Sequence, residues 1–264
     1  MLATAEARSR TGSDVAIFHD TVWVYRKGET CLAISERFGR PGDWDWIDRL
    51  MANKADYFLH RYPLRPGDVV LDIGAGYGQE ALLFARRVGS RGRVVAVEAN
   101  PRACEGLRTT CRLNGLAQVE PVNVAIADAE GRLFIEDAEN HLANRLVARP
   151  AAGSRVESMA TTTIDQLCRD RGIETIDFLK MNIEGAERSA MRGFTEMVRR
   201  TRHVCISCHD FLAGGDPTLR TREEVTGFLQ ANGFDIVTRA DDPRDYMRDY
   251  VYGENMAPRE VTTC

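Results

Sequence analysis

The stretch from Val69 to Gln79 constrains this chain most. Val69-Val70-Leu71-Asp72-Ile73 is an apolar run with one acid near its end, the pattern of a strand buried on both faces of a parallel sheet. It runs directly into Gly74-Ala75-Gly76-Tyr77-Gly78 and then into a helical pattern from Gln79 to Val88. Glycines at alternate positions let the backbone turn tightly and approach a ligand that a Cβ would push away. Strand, glycine loop and helix together predict the first unit of a doubly wound sheet, with a ligand at the carboxyl end of the strand.

The same alternation continues downstream. Arg93 to Glu98 reads as a second strand, and Asn100-Pro101 supplies a cap and a first-turn proline for a helix ending at Asn114-Gly115. Val122 to Ala127 reads as a third strand, and Gly131 to Ile135 as a short added one. Residues 138–156 lack periodicity and are the candidate substrate loop. Thr163 to Gln166 is a capping box that opens a helix ending at Gly172. Strands at Ile176–Met181 and His203–Cys208 flank a helix over Ala186–Val198. Thr221 to Glu224 opens another helix, and Phe234–Thr238 and Tyr250–Gly253 close the sheet as antiparallel strands. The expected architecture is α/β: a Rossmann-like, seven-stranded, mostly parallel sheet with helices on both faces.

Ahead of it, residues 1–13 read as frayed, Val15–Phe18 and Thr21–Tyr25 as a hairpin, and Asp43 as the cap of a helix reaching Tyr62-Pro63. Residues 1–64 are therefore assigned to an N-terminal extension and 65–264 to the main domain. Trp23, Trp44, Trp46, Tyr57 and Phe58 concentrate aromatic surface in that extension, as a wall over an acceptor pocket or as a plain hydrophobic cap.

The 264 residues carry a net charge of -4, which provides no excess of cations for nucleic acid or an anionic membrane. No apolar run approaches the ~20 residues that span a bilayer. With no signal-peptide core at the start, the expected location is the cytosol. The seven cysteines read as scattered reduced thiols. Cys205-Ile206-Ser207-Cys208-His209 matches haem-attachment spacing, but on a strand the two thiols point to opposite faces.

A nicotinamide fingerprint would place its third glycine or alanine at position 79, where Gln79 stands. That favours another adenosine cofactor, S-adenosylmethionine, which has no pyrophosphate to hold. Glu98 ends the second strand, 24 residues after Gly74, where a carboxylate can take both ribose hydroxyls. The expected cofactor contacts are Asp72, Gly74, Ala75, Gly76, Tyr77, Gly78, Glu98, Ala99, Asn100, Ile126, Asp128 and Asn182. Asp128 is the candidate for the adenine amino group. His209 follows the fifth strand and is the expected general base, with Asp210 beside it. Lys180, inside the fourth strand, points either into the cleft or across the sheet to an acid.

The run Val69 to Gly78 is similar to the first motif of class I S-adenosylmethionine-dependent methyltransferases. Phe178 to Glu187, with Thr162-Ile164-Asp165 upstream, resembles the FkbM methyltransferase family more specifically. The resemblance covers about residues 65–253. It implies methyl transfer to a hydroxyl of a small molecule, a sugar or natural product. Where the family pattern carries aspartate, this chain has Asn182, which cannot act as a base and is a poorer ligand for a hard cation. A divalent cation such as magnesium would have Glu184, His209 and Asp210 as ligands. Two other readings stay open: a cofactor-binding regulatory protein without transfer activity, and a nicotinamide-dependent oxidoreductase. A homodimer is compatible with the sequence, which does not fix the oligomeric state.

Overall fold

The computed structural model describes residues 4–8, 15–19, 22–34, 45–136, 145–147, 156–213 and 220–256. Its centre is a seven-stranded sheet. Five strands run parallel: β5 (Val69–Ile73), β6 (Arg93–Val97), β7 (Val119–Val122), β12 (Ile176–Met181) and β13 (Thr201–Ser207). β15 (Tyr250–Asn255) inserts antiparallel between β13 and the edge strand β14 (Phe234–Thr238), giving the order β14-β15-β13-β12-β5-β6-β7. The order reverses between β5 and β12, so their carboxyl ends diverge and leave a crevice there.

Each face of the sheet has its own core, as alternation along buried strands requires. Val70, Val94, Ala96 and Phe178 pack under α1 (Trp46–Phe58), α2 (Gln79–Val88) and α3 (Pro101–Leu113). Leu71, Ile73, Val95, Leu179 and Met181 pack under α4 (Ile164–Asp170), α5 (Glu187–Arg192) and α6 (Arg222–Ala231). Cys205 belongs to the first core and Cys208 to the second, so the haem-like spacing holds two thiols on opposite faces. All six described cysteines are free and buried. No helix among the described residues is long and apolar enough to cross a membrane.

The helix starts follow local chemistry. Asn100 accepts the amides of Arg102 and Ala103 at 2.8 and 3.2 Å, and Thr163 accepts that of Gln166 at 3.0 Å. The expected cap at Thr221 differs: its own side chain makes no capping bond, and Asp210 Oδ1 takes the Thr221 and Arg222 amides instead. The helix expected over 186–198 stops at Arg192. A Cβ on Gly193 would lie 2.6 Å from the Ala127 carbonyl oxygen, so the chain there is pinned by close backbone packing.

Three further expectations change. The strand expected over 122–127 is split: β7 ends at Val122, and β8 (Ala125–Ile126) belongs to a second four-stranded sheet. That sheet contains β9 (Gly131–Glu136), β10 (Arg145–Val147) and β11 (Val156–Thr162), so part of the presumed irregular segment is strand. The rest of the 138–156 substrate loop lies outside the described residues. Thr4–Arg8, expected to fray, forms β1 and pairs with β2 (Val15–His19). The hairpin of β2 and β3 (Val22–Lys27) is as expected, and β4 (Thr30–Ile34) completes a four-stranded antiparallel sheet.

That N-terminal sheet is fastened to the main body. Tyr25, Leu32 and Ile34 bury against Ile47 of α1, Leu82 of α2 and Ala103 of α3. The edge of β4 presents amides that need partners. Asn114 accepts from Cys31 and Thr110 from Ala33, each at 3.0 Å. Helix α1 begins at Trp46 and ends at Phe58, short of Tyr62. Asp43, its expected cap, and Trp44 lie outside the described residues.

Candidate functional site

The crevice at the switch point is a cleft of about 330 Å³. Its floor is the glycine loop. Gly74 has φ 78°, and a Cβ there would lie 2.0 Å from the Asn182 carbonyl oxygen. Only glycine lets the ends of β5 and β12 approach this closely, an approach that the bond from the Asn182 amide to the Ile73 carbonyl fixes at 3.0 Å.

Glu98 closes one end. Its Oε2 accepts the Gly76 amide and its Oε1 the Asn100 amide, both at 2.7 Å. Burial pushes its pKa up against the pull of those two amides. Each oxygen keeps a lone pair beyond these bonds, so the carboxylate can still accept from a diol. Val97, Val124 and Ile126 supply apolar wall beside it. Above the cleft stand Trp46, Leu50 and Lys54 of α1 and Ile34 of β4. Of the aromatic cluster in the extension, Trp46 therefore lines the cleft. Phe58 instead packs in the core under α1, with Tyr57 against it.

Of the twelve expected cofactor contacts, Gly74, Gly76, Glu98, Ala99, Asn100, Ile126 and Asn182 line the cleft. Five others do not. Asp72 is wholly buried with its Oδ1 2.9 Å from Lys180 Nζ. Ala75 and Tyr77 are packed in the cores. Gly78 starts α2 against Leu107. Asp128 is exposed, with its amide 3.1 Å from Ser189 Oγ. Asp72, Ala75, Tyr77 and Gly78 thus support the glycine loop from within the fold, whereas Asp128 lies away from it.

Lys180 takes the second of its two expected orientations, across the sheet to an acid. Its ammonium pairs with Asp72, donates to the Gly74 carbonyl at 2.7 Å and sits 5.2 Å from the Phe58 ring centre. It is a positioning residue that holds the glycine loop from below.

His209 departs from the expected base. It is 3% exposed, and both ring nitrogens face carboxylates: Nδ1 is 2.8 Å from Glu187 and Nε2 is 3.3 Å from Glu184. Burial lowers its pKa, but the two carboxylates outweigh that and raise it to about 9. Near neutral pH the ring is an imidazolium and has no lone pair to offer a substrate proton. Asp210 turns away to cap α6, so it does not join Glu184 and His209 as a cation ligand. Among the described residues no three His, Cys, Asp or Glu side chains converge to hold a metal.

Two charged cleft residues escaped the sequence reading, Lys54 and Glu80. Lys54 Nζ lies 2.6 Å from Glu80 Oε1, and both line the cleft. The signal was present: Leu50, Lys54 and Phe58 share one helical stripe, and a cation in the middle of an apolar face needs a reason.

The cleft fits S-adenosylmethionine. A Cβ at Gly76 would meet only Gln79 Oε1, at 3.7 Å, so the loop is open toward the space above it. Glu98, the apolar wall and the Lys54–Glu80 pair match a diol, an adenine and an amino-acid group in turn.

Comparison with known proteins agrees with this geometry. The 2-O-methyltransferase NoeI of Sinorhizobium fredii is 27% identical over 158 residues, covering 53% of this chain and 63% of that protein. The 31-O-demethyl-FK506 methyltransferase FkbM of Streptomyces tacrolimicus is 27% identical over 234 residues, covering 76% and 85%. The chain thus spans less than two thirds of the NoeI protein. A crystal structure of methyltransferase FkbM from Methylobacillus flagellatus KT shares the fold, with a TM-score of 0.50 and 15% identity over 76% of this chain and 47% of that one. Residues 72–252 match the methyltransferase FkbM domain, and the chain belongs to that family.

Proposed function

We propose that the protein is an S-adenosylmethionine-dependent methyltransferase acting on a hydroxyl of a small molecule, such as a sugar or natural product. The observation that carries this reading is Glu98, held by two backbone amides at the rim of a cleft whose floor is the glycine loop. The hydroxyl acceptor is supported by the two O-methyltransferase relatives named above.

In this reading Glu98 binds the ribose, and Val97, Val124 and Ile126 flank the adenine. Lys54 faces the carboxylate of the amino-acid portion and Glu80 its ammonium. Lys180 fixes Gly74 so that the loop does not have to rearrange on binding. The bound cofactor supplies a methyl group on an electrophilic sulfonium. Asn182, which lines the cleft, can both donate to and accept from the ligand. Residues 1–64 act as the cover of the site and 65–264 as the domain that binds the cofactor, with Trp46 and Leu50 excluding water from the transfer.

Calorimetry with S-adenosylhomocysteine tests the cofactor, and mass spectrometry after incubation with S-adenosylmethionine and hydroxylated acceptors tests the transfer. Absence of binding sinks the reading. Binding without transfer to any acceptor favours a regulatory protein, the alternative that Asn182 in the cleft supports.

A further inference from the structure

The chain leaves β12 through Asn182 and turns at Glu184, whose φ is 54°. Glu184 is the one non-glycine residue in a left-handed conformation among the described residues. Such a conformation persists only where the surroundings over-determine it. Here it accompanies a carboxylate on the cleft wall, 3.3 Å from His209. Glu184 keeps 31% of its side chain exposed, His209 4% and Glu187 none. Of the three side chains, Glu184 is therefore the end that a ligand can reach.

The charges explain why three groups are present. His209 offers an N–H to each carboxylate. Glu187, buried on the far side, balances the imidazolium, so the unit keeps one negative charge for its open end. Asp249 adds a further carboxylate near the ring. We propose that Glu184 takes the proton of the acceptor hydroxyl, with His209 and Glu187 as positioning residues that aim it. This rests on the methyltransferase reading above. As the acceptor oxygen forms its bond to the methyl carbon, its O–H bond breaks and the proton passes to the Glu184 carboxylate. The carbon–sulfur bonding pair stays on sulfur, so sulfonium and carboxylate become thioether and carboxylic acid, and charge balances.

The test uses the full chain, labelled S-adenosylmethionine and methyl glycosides of the common hexoses as hydroxyl probes. Glu184→Gln is expected to lower kcat by about 100-fold or more, the lower end of what a general base contributes. It should flatten the acid limb of the kcat profile and leave the Kd for S-adenosylhomocysteine within about threefold. Glu184→Asp should recover part of the rate. Glu184→Gly relieves the left-handed backbone while giving up the His209 contact, and should show the same loss of turnover. Glu184→Gln or Glu184→Gly retaining kcat within about threefold of wild type overturns the proposal while leaving the function intact. Wild type that binds S-adenosylhomocysteine but methylates no probe overturns the hydroxyl reading itself, and the proposal with it.

Discussion

Lys180 Nζ lies 2.9 Å from Asp72 Oδ1 in the middle of the sheet, and neither side chain is exposed at all. Burial disfavours the charged lysine, but Asp72 and Glu80 outweigh it and hold its pKa above the ordinary value. Removing one partner of such a pair strands the other charge, at a cost of about 3–5 kcal/mol. Lys180→Met should lose that much in urea unfolding. The double variant Lys180→Met with Asp72→Leu should recover most of it. A single variant within about 1 kcal/mol of wild type would show that the pair is not structural.

His209 makes stability depend on pH. Its folded pKa of about 9 lies above the ordinary 6.5, so its contribution is complete below about pH 6.5 and is lost as pH rises through 9. A shift of this size corresponds to about 3 kcal/mol. The charged groups that face the ring are the Glu184 and Glu187 carboxylates, with Asp249 nearby. The unfolding free energy of wild type relative to His209→Gln should therefore shrink by about that amount between pH 6 and pH 9.5. Equal differences at both pH values would mean that the imidazolium is not held by its carboxylates.

How much of this was legible follows from where the determining contacts lie. β5, α2, β12 and β14 have the expected bounds because a buried parallel run or a capped amphipathic stretch is a local pattern. β11, reading Val-Glu-Ser-Met-Ala-Thr-Thr, has no such run, and its β9 partners Gly131 to Glu136 lie well back in the chain. The place of Gly74 and Glu98 on the cleft was readable because they sit at fixed offsets in one strand–helix–strand unit. The fate of His209 was not. Its state is set by Glu184 and Glu187, which lie on a different strand–helix connection and meet it only in three dimensions.

Gly74 separates steric contact from backbone strain. Its φ is 78° and a Cβ would meet the Asn182 oxygen at 2.0 Å, whereas Gly89, at φ 65°, has nothing within 4 Å. Gly89, with ψ -170°, sits in a backbone region essentially reserved for glycine, so Gly89→Ala should cost only that strain, about 1–3 kcal/mol. Gly74→Ala should cost clearly more and abolish binding of S-adenosylhomocysteine, since β5 and β12 must part. Equal losses in thermal unfolding would show that the close approach is relaxed without consequence.

Glu98 should carry affinity more than stability. Hydrogen bonds to a charged group are worth about 1.5–3 kcal/mol, which corresponds to about 10- to 150-fold in affinity. Glu98→Gln keeps the shape but loses the charge and one acceptor, so S-adenosylhomocysteine should bind about that much more weakly by calorimetry. A Kd within threefold of wild type would remove the ribose from Glu98.

Lys54 divides the ligand into parts that can be measured separately. It belongs to α1, outside the 72–252 family match, yet its ammonium reaches Glu80 on the cleft wall at 2.6 Å. If it faces the amino-acid carboxylate, Lys54→Met should weaken S-adenosylhomocysteine by about tenfold, the value of one partly solvated charge contact of about 1.4 kcal/mol. 5′-Methylthioadenosine, which has the adenosine but no amino-acid group, should bind both proteins equally. A matched loss for the two ligands would mean that Lys54 acts by holding the cover shut, because its removal would then loosen Trp46 and Leu50 over the adenosine itself.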